Sequence, residues 1–247
     1  QQIAARINRC RCLMFDPRGD GELFITVGDN TRPRATPYSP IDEREGRGVF
    51  NAQRSASNTN DLRGKILRIH PEPDGTYTIP DGNLFPKGMP NTRPEIYSMG
   101  HRQPWRLSMD TKTGWLYEGE VGPDSRVDSV GRGPASDDEF NQIRKPGNFG
   151  WPYFVGNNKA YWNYDFATEK SGEKFNPLKP ANHSRLNTGI TDLPAAQPAL
   201  IWYPYAESKE FPEMGTGGRT AVGGPIFRKQ DFKNAKIYGV WVNEKKI

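Results

Sequence analysis

The chain has 247 residues, enough for one large domain or two small ones, with 34% hydrophobic and 11% aromatic residues. Lys and Arg number 34 against 29 acids, a net charge of +5. With the two signs interspersed, a mixed-charge surface accounts for the excess and a nucleic-acid partner is not expected. No apolar run approaches the ~20 residues of a membrane helix, so no membrane span is expected either.

In chain order, the first element is a hairpin. Leu13-Met14-Phe15 leads through Gly19-Asp20-Gly21 into Leu23 to Asp29, apolar runs separated by turn residues. Residues 30–61 follow without regular pattern. Lys65-Ile66-Leu67-Arg68-Ile69 alternates and stops before Pro71, Thr76 to Ile79 follows an Asp74-Gly75 turn, and Glu95 to Met99 forms another short strand. A second hairpin repeats the first: Arg106 to Asp110, then Lys112-Thr113-Gly114, then Trp115 to Gly122. Residues 156–198 again lack pattern, but Tyr161, Trp162, Tyr164 and Phe166 mark a packed surface excursion. Ala199 to Tyr203 is a last apolar run before Pro204, and a weaker third hairpin spans Pro225-Ile226-Phe227 and Ile237 to Trp241. Gly (26) and Pro (22) are abundant, and helical periodicity over ten or more residues is absent, so the chain reads as all-β. Repeated hairpins of this kind suit a β-propeller, with a sandwich as the competing architecture. Cys10 and Cys12, one residue apart, are too close for an unstrained disulfide.

Chemistry concentrates in residues 100–152. Gly100-His101-Arg102-Gln103-Pro104 supplies a fixed cation and an amide donor. Glu120-Val121-Gly122-Pro123 supplies a rigid carbonyl-bearing turn, and Asp137-Asp138-Glu139 an acidic cluster. A guanidinium forks toward the oxygens of an anionic group, and main-chain carbonyls with carboxylates are the ligands of a hard cation. The bland alternatives are an Arg paired with a surface acid, an ordinary Gly-Pro turn and solvated loop acids. His101 either lines the site or packs at a strand end; His70 reads as structural, and His183 has no partner in view.

These motifs, with Val27-Gly28-Asp29-Asn30, Leu62-Arg63-Gly64-Lys65-Ile66-Leu67-Arg68-Ile69 and Gly147-Asn148-Phe149-Gly150-Trp151-Pro152, occur in the order found in the glucose/sorbosone dehydrogenases, the soluble pyrroloquinoline quinone (PQQ) sugar dehydrogenases and their relatives. The chain resembles that family strongly over residues 13–152 and more loosely to about 236. The resemblance implies a six-bladed β-propeller with its site at the top of the axis, of which residues 1–247 form a single partial domain, an incomplete ring of antiparallel four-stranded blades with long loops. It implies PQQ and calcium as cofactors, a sugar or other small alcohol as substrate, an external electron acceptor, and a periplasmic or extracellular location. Arg102 would contact cofactor and substrate, with Gln103 as a further cofactor ligand where the family has Asn. Gly122 and Pro123 would hold Ca²⁺ and cofactor through their carbonyls, with Val121 in place of a family Gln. Glu139 and Asp138 would serve a second, structural Ca²⁺ near the Phe149 carbonyl.

Asp29 matches the family's aspartate that steadies a catalytic histidine. Asn8 stands about where that histidine belongs, and an amide cannot take a proton at neutral pH. Residues 1–12 are therefore expected to be an atypical or non-native start, and residues 1–247 by themselves are expected not to turn over. The implied function is oxidation of a sugar hydroxyl by hydride transfer to the quinone. The alternative is a non-catalytic, calcium-stabilised propeller that binds carbohydrate or protein, with which Gln103, Val121 and the missing histidine are consistent.

Overall fold

A computed structural model describes residues 10–32, 34 and 38–228 of the chain. Asn8 and the second half of the third hairpin (231–241) lie outside these residues. Fourteen strands and three short 3₁₀ turns make up the described fold, and no α-helix occurs among the described residues. Two antiparallel meanders dominate.

The first comprises β1 (Cys10–Phe15), β2 (Leu23–Val27), β3 (Lys65–Pro71) and β5 (Ile96–Met99), paired in that order, with β4 (Tyr77–Thr78) alongside β3. The second comprises β6 (Pro104–Met109), β7 (Leu116–Glu120) and β8 (Asp138–Ile143), closed at its outer side by β14 (Ile201–Tyr203). Each core meander is the four-stranded antiparallel unit expected of a blade. One departure is that β9 (Gly147–Asn148) joins the first sheet by pairing parallel with β5.

Both hairpins form where the turn chemistry places them. Asp16 Oδ1 accepts the Arg18 main-chain N–H at 2.8 Å, closing the β1–β2 turn, and Asp110 Oδ1 does the same for Lys112 at 3.0 Å between β6 and β7. The strands of the first sheet are apolar on both faces because both faces are covered. Phe24, Ile66 and Tyr97 point toward Leu107, Met109, Leu116 and Ile143 of the second sheet, so the two meanders pack against each other. Ile25, Val27, Leu67, Ile69 and Ile96 point the other way, against Ile41, Phe85, Tyr153, Phe154 and Leu193 from the long connections.

Those connections are packed structure. Residues 48–54 form two 3₁₀ turns, Gly48–Phe50 and Ala52–Arg54. The fully buried ammonium of Lys65 fastens this region, donating to the carbonyls of Ser55, Ala56 and Arg63 at 2.7, 2.9 and 2.8 Å. Within 156–198 lie parts of two small hairpins, β10 (Phe154–Val155) with β11 (Lys159–Ala160) and β12 (Trp162–Asp165) with β13 (Lys170–Lys174). Asn182 ties this excursion to the earlier one, donating to the carbonyls of Gln53 and Ser57. Pro225 to Phe227, the first half of the third expected hairpin, carries no strand.

Candidate functional site

The site grows out of one face of the β7–β8 pair. Residues directly opposite in an antiparallel pair share a face. The register sets Leu116 against Ile143, Glu118 against Asn141 and Glu120 against Glu139. One face therefore runs from an apolar pair through a mixed pair to two carboxylates, all six residues buried. Asp137, Asp138 and Glu139 are buried at the head of a strand, which removes the alternative of solvated loop acids.

Immediately beyond Glu120 the chain bends at Gly122-Pro123. A Cβ on Gly122 would collide with the Asp137 carbonyl and the Ser136 hydroxyl, so only glycine lets the bend lie against residues 136–137. The Gly122 N–H donates to Asp138 Oδ1 at 3.0 Å.

Arg102 reaches this point from β5 by way of Gly100. Gly100 has φ +77°, and a Cβ there would overlap Asn148 Oδ1 and the Gly150 nitrogen. His101 follows, fully buried, with Nδ1 2.8 Å from Glu120 Oε2, Nε2 2.7 Å from Ser98 Oγ, and its ring stacked on Phe149 at 5.2 Å. The Arg102 main-chain N–H donates to Glu120 Oε1, and its Nη1 donates to the Val121 carbonyl at 2.9 Å. Glu120 is thus the anchor that sets both His101 and Arg102 beside the bend.

Between these groups lies a cavity of about 10 Å³, room for a single water-sized body. Arg102, Glu120, Asp137 and Glu139 line it together with Gly122 and Pro123, and Phe149 and Trp151 form its apolar wall. Loss of hydration on burial, reinforced by the charge of Glu120, pushes the Glu118 and Glu139 carboxyls well above the usual range. Burial also raises Asp137, opposed by Lys159 Nζ at 2.7 Å, and Asp138, opposed by Arg219. His101, Glu118 and Glu120 bring potential ligand atoms within 4.8 Å of one another.

The donor set fits a hard cation. Three carboxylates and two carbonyl-bearing residues surround a void of ionic size, and Asp137 Oδ1 is buried without a hydrogen-bond partner. An anionic, acceptor-rich cofactor is matched as well. Arg102 Nε and Gln103 Nε2 are buried donors without a partner.

The sequence-predicted residues therefore converge, with differences in detail. Asp29 lies next to Arg102: its N–H donates to the Arg102 carbonyl at 2.9 Å, and its carboxylate accepts from Trp151 Nε1 at 2.7 Å and from Thr31. Gln103 accommodates its extra length by lying over Gly28, where a Cβ would stand 2.6 Å from Gln103 Oε1. Glu139 faces the cavity. Asp138 does not line it: its oxygens accept from the Gly122 and Ala221 N–H groups, and it faces Arg219. Asp137 and Glu120 occupy the cavity wall instead; the sequence offered Asp137 only as part of the acidic cluster and gave Glu120 no role of its own. The signal for Glu120 was its place directly before the Val-Gly-Pro bend, at the end of an apolar strand. His70 sits at the end of β3, opposite Thr78, and lines none of this cavity.

Residues 3–184 match the family model described as Glucose / Sorbosone dehydrogenase. The chain belongs to the glucose/sorbosone dehydrogenase family. Quinoprotein glucose dehydrogenase B of Acinetobacter calcoaceticus is 31% identical over 156 residues, covering 62% of this chain and 28% of that protein. An aldose sugar dehydrogenase of Escherichia coli is 30% identical over 140 residues, covering 57% and 28%. Among solved structures, the PQQ-bound form of an aldose sugar dehydrogenase from Streptomyces coelicolor is 28% identical and covers 58% of this chain and 30% of that one, with a TM-score of 0.35, too low for a comparison of shape. The chain thus spans less than half the length of these glucose/sorbosone dehydrogenase relatives. Among its described residues no helix is long and apolar enough to cross a membrane.

Proposed function

We propose that this chain forms the cofactor- and metal-holding part of a PQQ- and Ca²⁺-dependent dehydrogenase that oxidises a hydroxyl of a sugar or other small alcohol and delivers the electrons to an external acceptor. The observation that carries this reading is the meeting of Arg102, its Nε unpartnered, with the Gly122-Pro123 bend over an ion-sized cavity walled by Glu120, Asp137 and Glu139. The Gly122 and Pro123 carbonyls, with Glu120, Asp137 and Glu139 around the same void, would hold one Ca²⁺. When bound, the quinone would supply a hydride acceptor and Ca²⁺ a Lewis acid. The chain's own part is position and field. Arg102 orients anionic oxygens beside the bend, Gln103 offers an amide N–H, and Trp151 and Phe149 keep water from that wall. The reading extends to a six-bladed ring completed by chain beyond these residues and to a periplasmic or extracellular location.

One observation favours the second reading, a calcium-stabilised propeller that binds carbohydrate or protein without turnover. His101, the histidine beside Arg102, has both ring nitrogens engaged, by Ser98 and Glu120, and so is not placed to take a substrate proton. The test is to load the full gene product with Ca²⁺ and PQQ, titrate quinone binding, and assay dye reduction with several sugars. Binding with reduction supports the dehydrogenase. Quinone binding without reduction supports the second reading, and failure to bind quinone removes the first.

A further inference from the structure

Arg219 follows a glycine-rich run, Gly215-Thr216-Gly217-Gly218, and nothing in the proposed chemistry uses it. The structure shows where that arginine goes. Its side chain is 3% exposed, and its guanidinium lies behind the Gly122-Pro123 bend. Nη1 donates to the carbonyls of Ser136 at 2.6 Å and Tyr203 at 2.9 Å. Nη2 donates to Ser136 Oγ at 2.7 Å and to the Pro123 carbonyl at 3.2 Å. Nε lies 3.3 Å from Asp138 Oδ1, and the guanidinium covers the Tyr205 ring with its centre at 4.1 Å.

We infer that Arg219 and Asp138 form a clasp that aims the main-chain groups of the Gly122-Pro123 bend, making Arg219 a positioning residue for the cation those carbonyls would hold. The inference rests on the Ca²⁺ reading above.

Proline has no N–H and its ring fixes φ, so the remaining main-chain freedom of Pro123 is ψ, the angle that aims its carbonyl. Arg219 takes hold of that carbonyl. Glycine has the widest backbone freedom of any residue, and Asp138 Oδ1 restrains Gly122 by accepting its N–H. The two least constrained features of the bend are therefore each gripped by one partner of a buried ion pair. The grip is rigid because the guanidinium is planar and offers its N–H groups in a fixed fork. Pro123, Ser136 and Tyr203 belong to three separate chain segments, and this one plane holds them in register. Asp138 Oδ2 adds a fourth by accepting the Ala221 N–H at 2.8 Å. A carbonyl has two lone pairs, so the Pro123 oxygen can accept from Arg219 and still offer its second lone pair to a cation.

Charge and orientation act in opposite directions here, which makes the idea testable. Removing Arg219 alone would take a positive charge away from a cation site and strengthen binding by simple electrostatics. The paired change Arg219→Met with Asp138→Asn removes one charge of each sign, leaves the net charge unaltered, and reads orientation alone. Calcium chloride is titrated calorimetrically into the full gene product, wild type and variant, with melting recorded in chelator. The clasp predicts a loss of Ca²⁺ affinity of about 10–100-fold, the range found when groups that orient metal ligands are removed. Arg219→Lys keeps the charge but loses the fork; it should also weaken binding, and it decides the matter if the double variant does not fold. Unchanged Ca²⁺ affinity in a folded double variant, or in Arg219→Lys, overturns the clasp and leaves the Ca²⁺ reading standing. Wild-type protein that takes up no Ca²⁺ overturns both.

Discussion

The indole N–H of Trp151 donates to Asp29 Oδ2 at 2.7 Å, joining residues 122 positions apart. Trp151 also stacks beside Tyr38 and meets Tyr161 edge-on, so it connects the end of β2, the irregular segment after it and the cavity wall. Trp151→Phe keeps most of the ring contact and removes the donor. A buried acceptor deprived of one partner costs about 1–3 kcal/mol, which urea denaturation of the variant should show. A change below a few tenths of a kcal/mol would mean that Asp29 is satisfied by Thr31 alone.

Arg102→Met is expected to separate binding from stability. The variant loses one hydrogen bond, to the Val121 carbonyl, and also removes a buried Nε that has no partner. Each effect is worth about 1 kcal/mol and the two oppose, so the midpoint of unfolding should move little. Quinone affinity, followed by absorbance titration, should fall at least about tenfold, since a tenfold loss needs only ~1.4 kcal/mol of the interaction. A large drop in stability with normal quinone affinity would make Arg102 structural.

Glu118 gives a pH prediction. Burial and the neighbouring Glu120 hold its carboxyl well above its ordinary 4.5, so the folded protein keeps a proton that the unfolded chain releases. The native state then binds more protons, and stability falls as pH rises above ~4.5 until the buried group also ionises. Glu118→Gln removes this titration. Stability measured from about pH 5 to pH 8 should decline less in the variant than in wild type, and at pH 8 the variant should be the more stable. Parallel curves would show that Glu118 does not carry the titration.

Lys65 is expected to be a stability residue with no part in binding. Burial lowers its ammonium to about 7, yet three carbonyls accept from it. Lys65→Met leaves all three without their donor, at a cost of about 1–3 kcal/mol each if none recovers a partner. Limited proteolysis should then cut within residues 48–63 faster than in wild type. An unchanged cleavage rate would show that this connection is held by other contacts.

The sequence carried the hairpins well because their signal is local. Apolar runs flank Asp-and-Gly turns at 16–22 and 110–114, β3 ends at Pro71, and β5 ends just before Gly100. β8 was missed because it carries acids where a strand normally carries apolar residues. Its inward positions, Glu139 and Asn141, are polar because they meet Glu120 and Glu118 across the register, a fact invisible until the two strands are paired. The Arg102 motif and the Gly122-Pro123 bend were legible as motifs, and so was their likeness to a known family. The roles of Lys65 and Arg219 were not. Each guanidinium or ammonium is fixed by carbonyls from other segments, and main-chain carbonyls leave no trace in side-chain identity. The packing of 156–198 was foreshadowed by its aromatics, but its hairpins are built from strands of two to five residues that have no pattern of their own.

The outer strand of the second sheet arrives late. β8 ends at Ile143, and its neighbour β14 begins at Ile201. A shortened protein ending anywhere from 152 to 200 would retain Arg102, the bend and every cavity-lining acid. It would still lose the strand that shields β8 and the arginine behind Pro123. Its bared flank would offer unpaired main-chain groups to another copy, so such a truncation should self-associate even with the Arg102 motif and the bend intact.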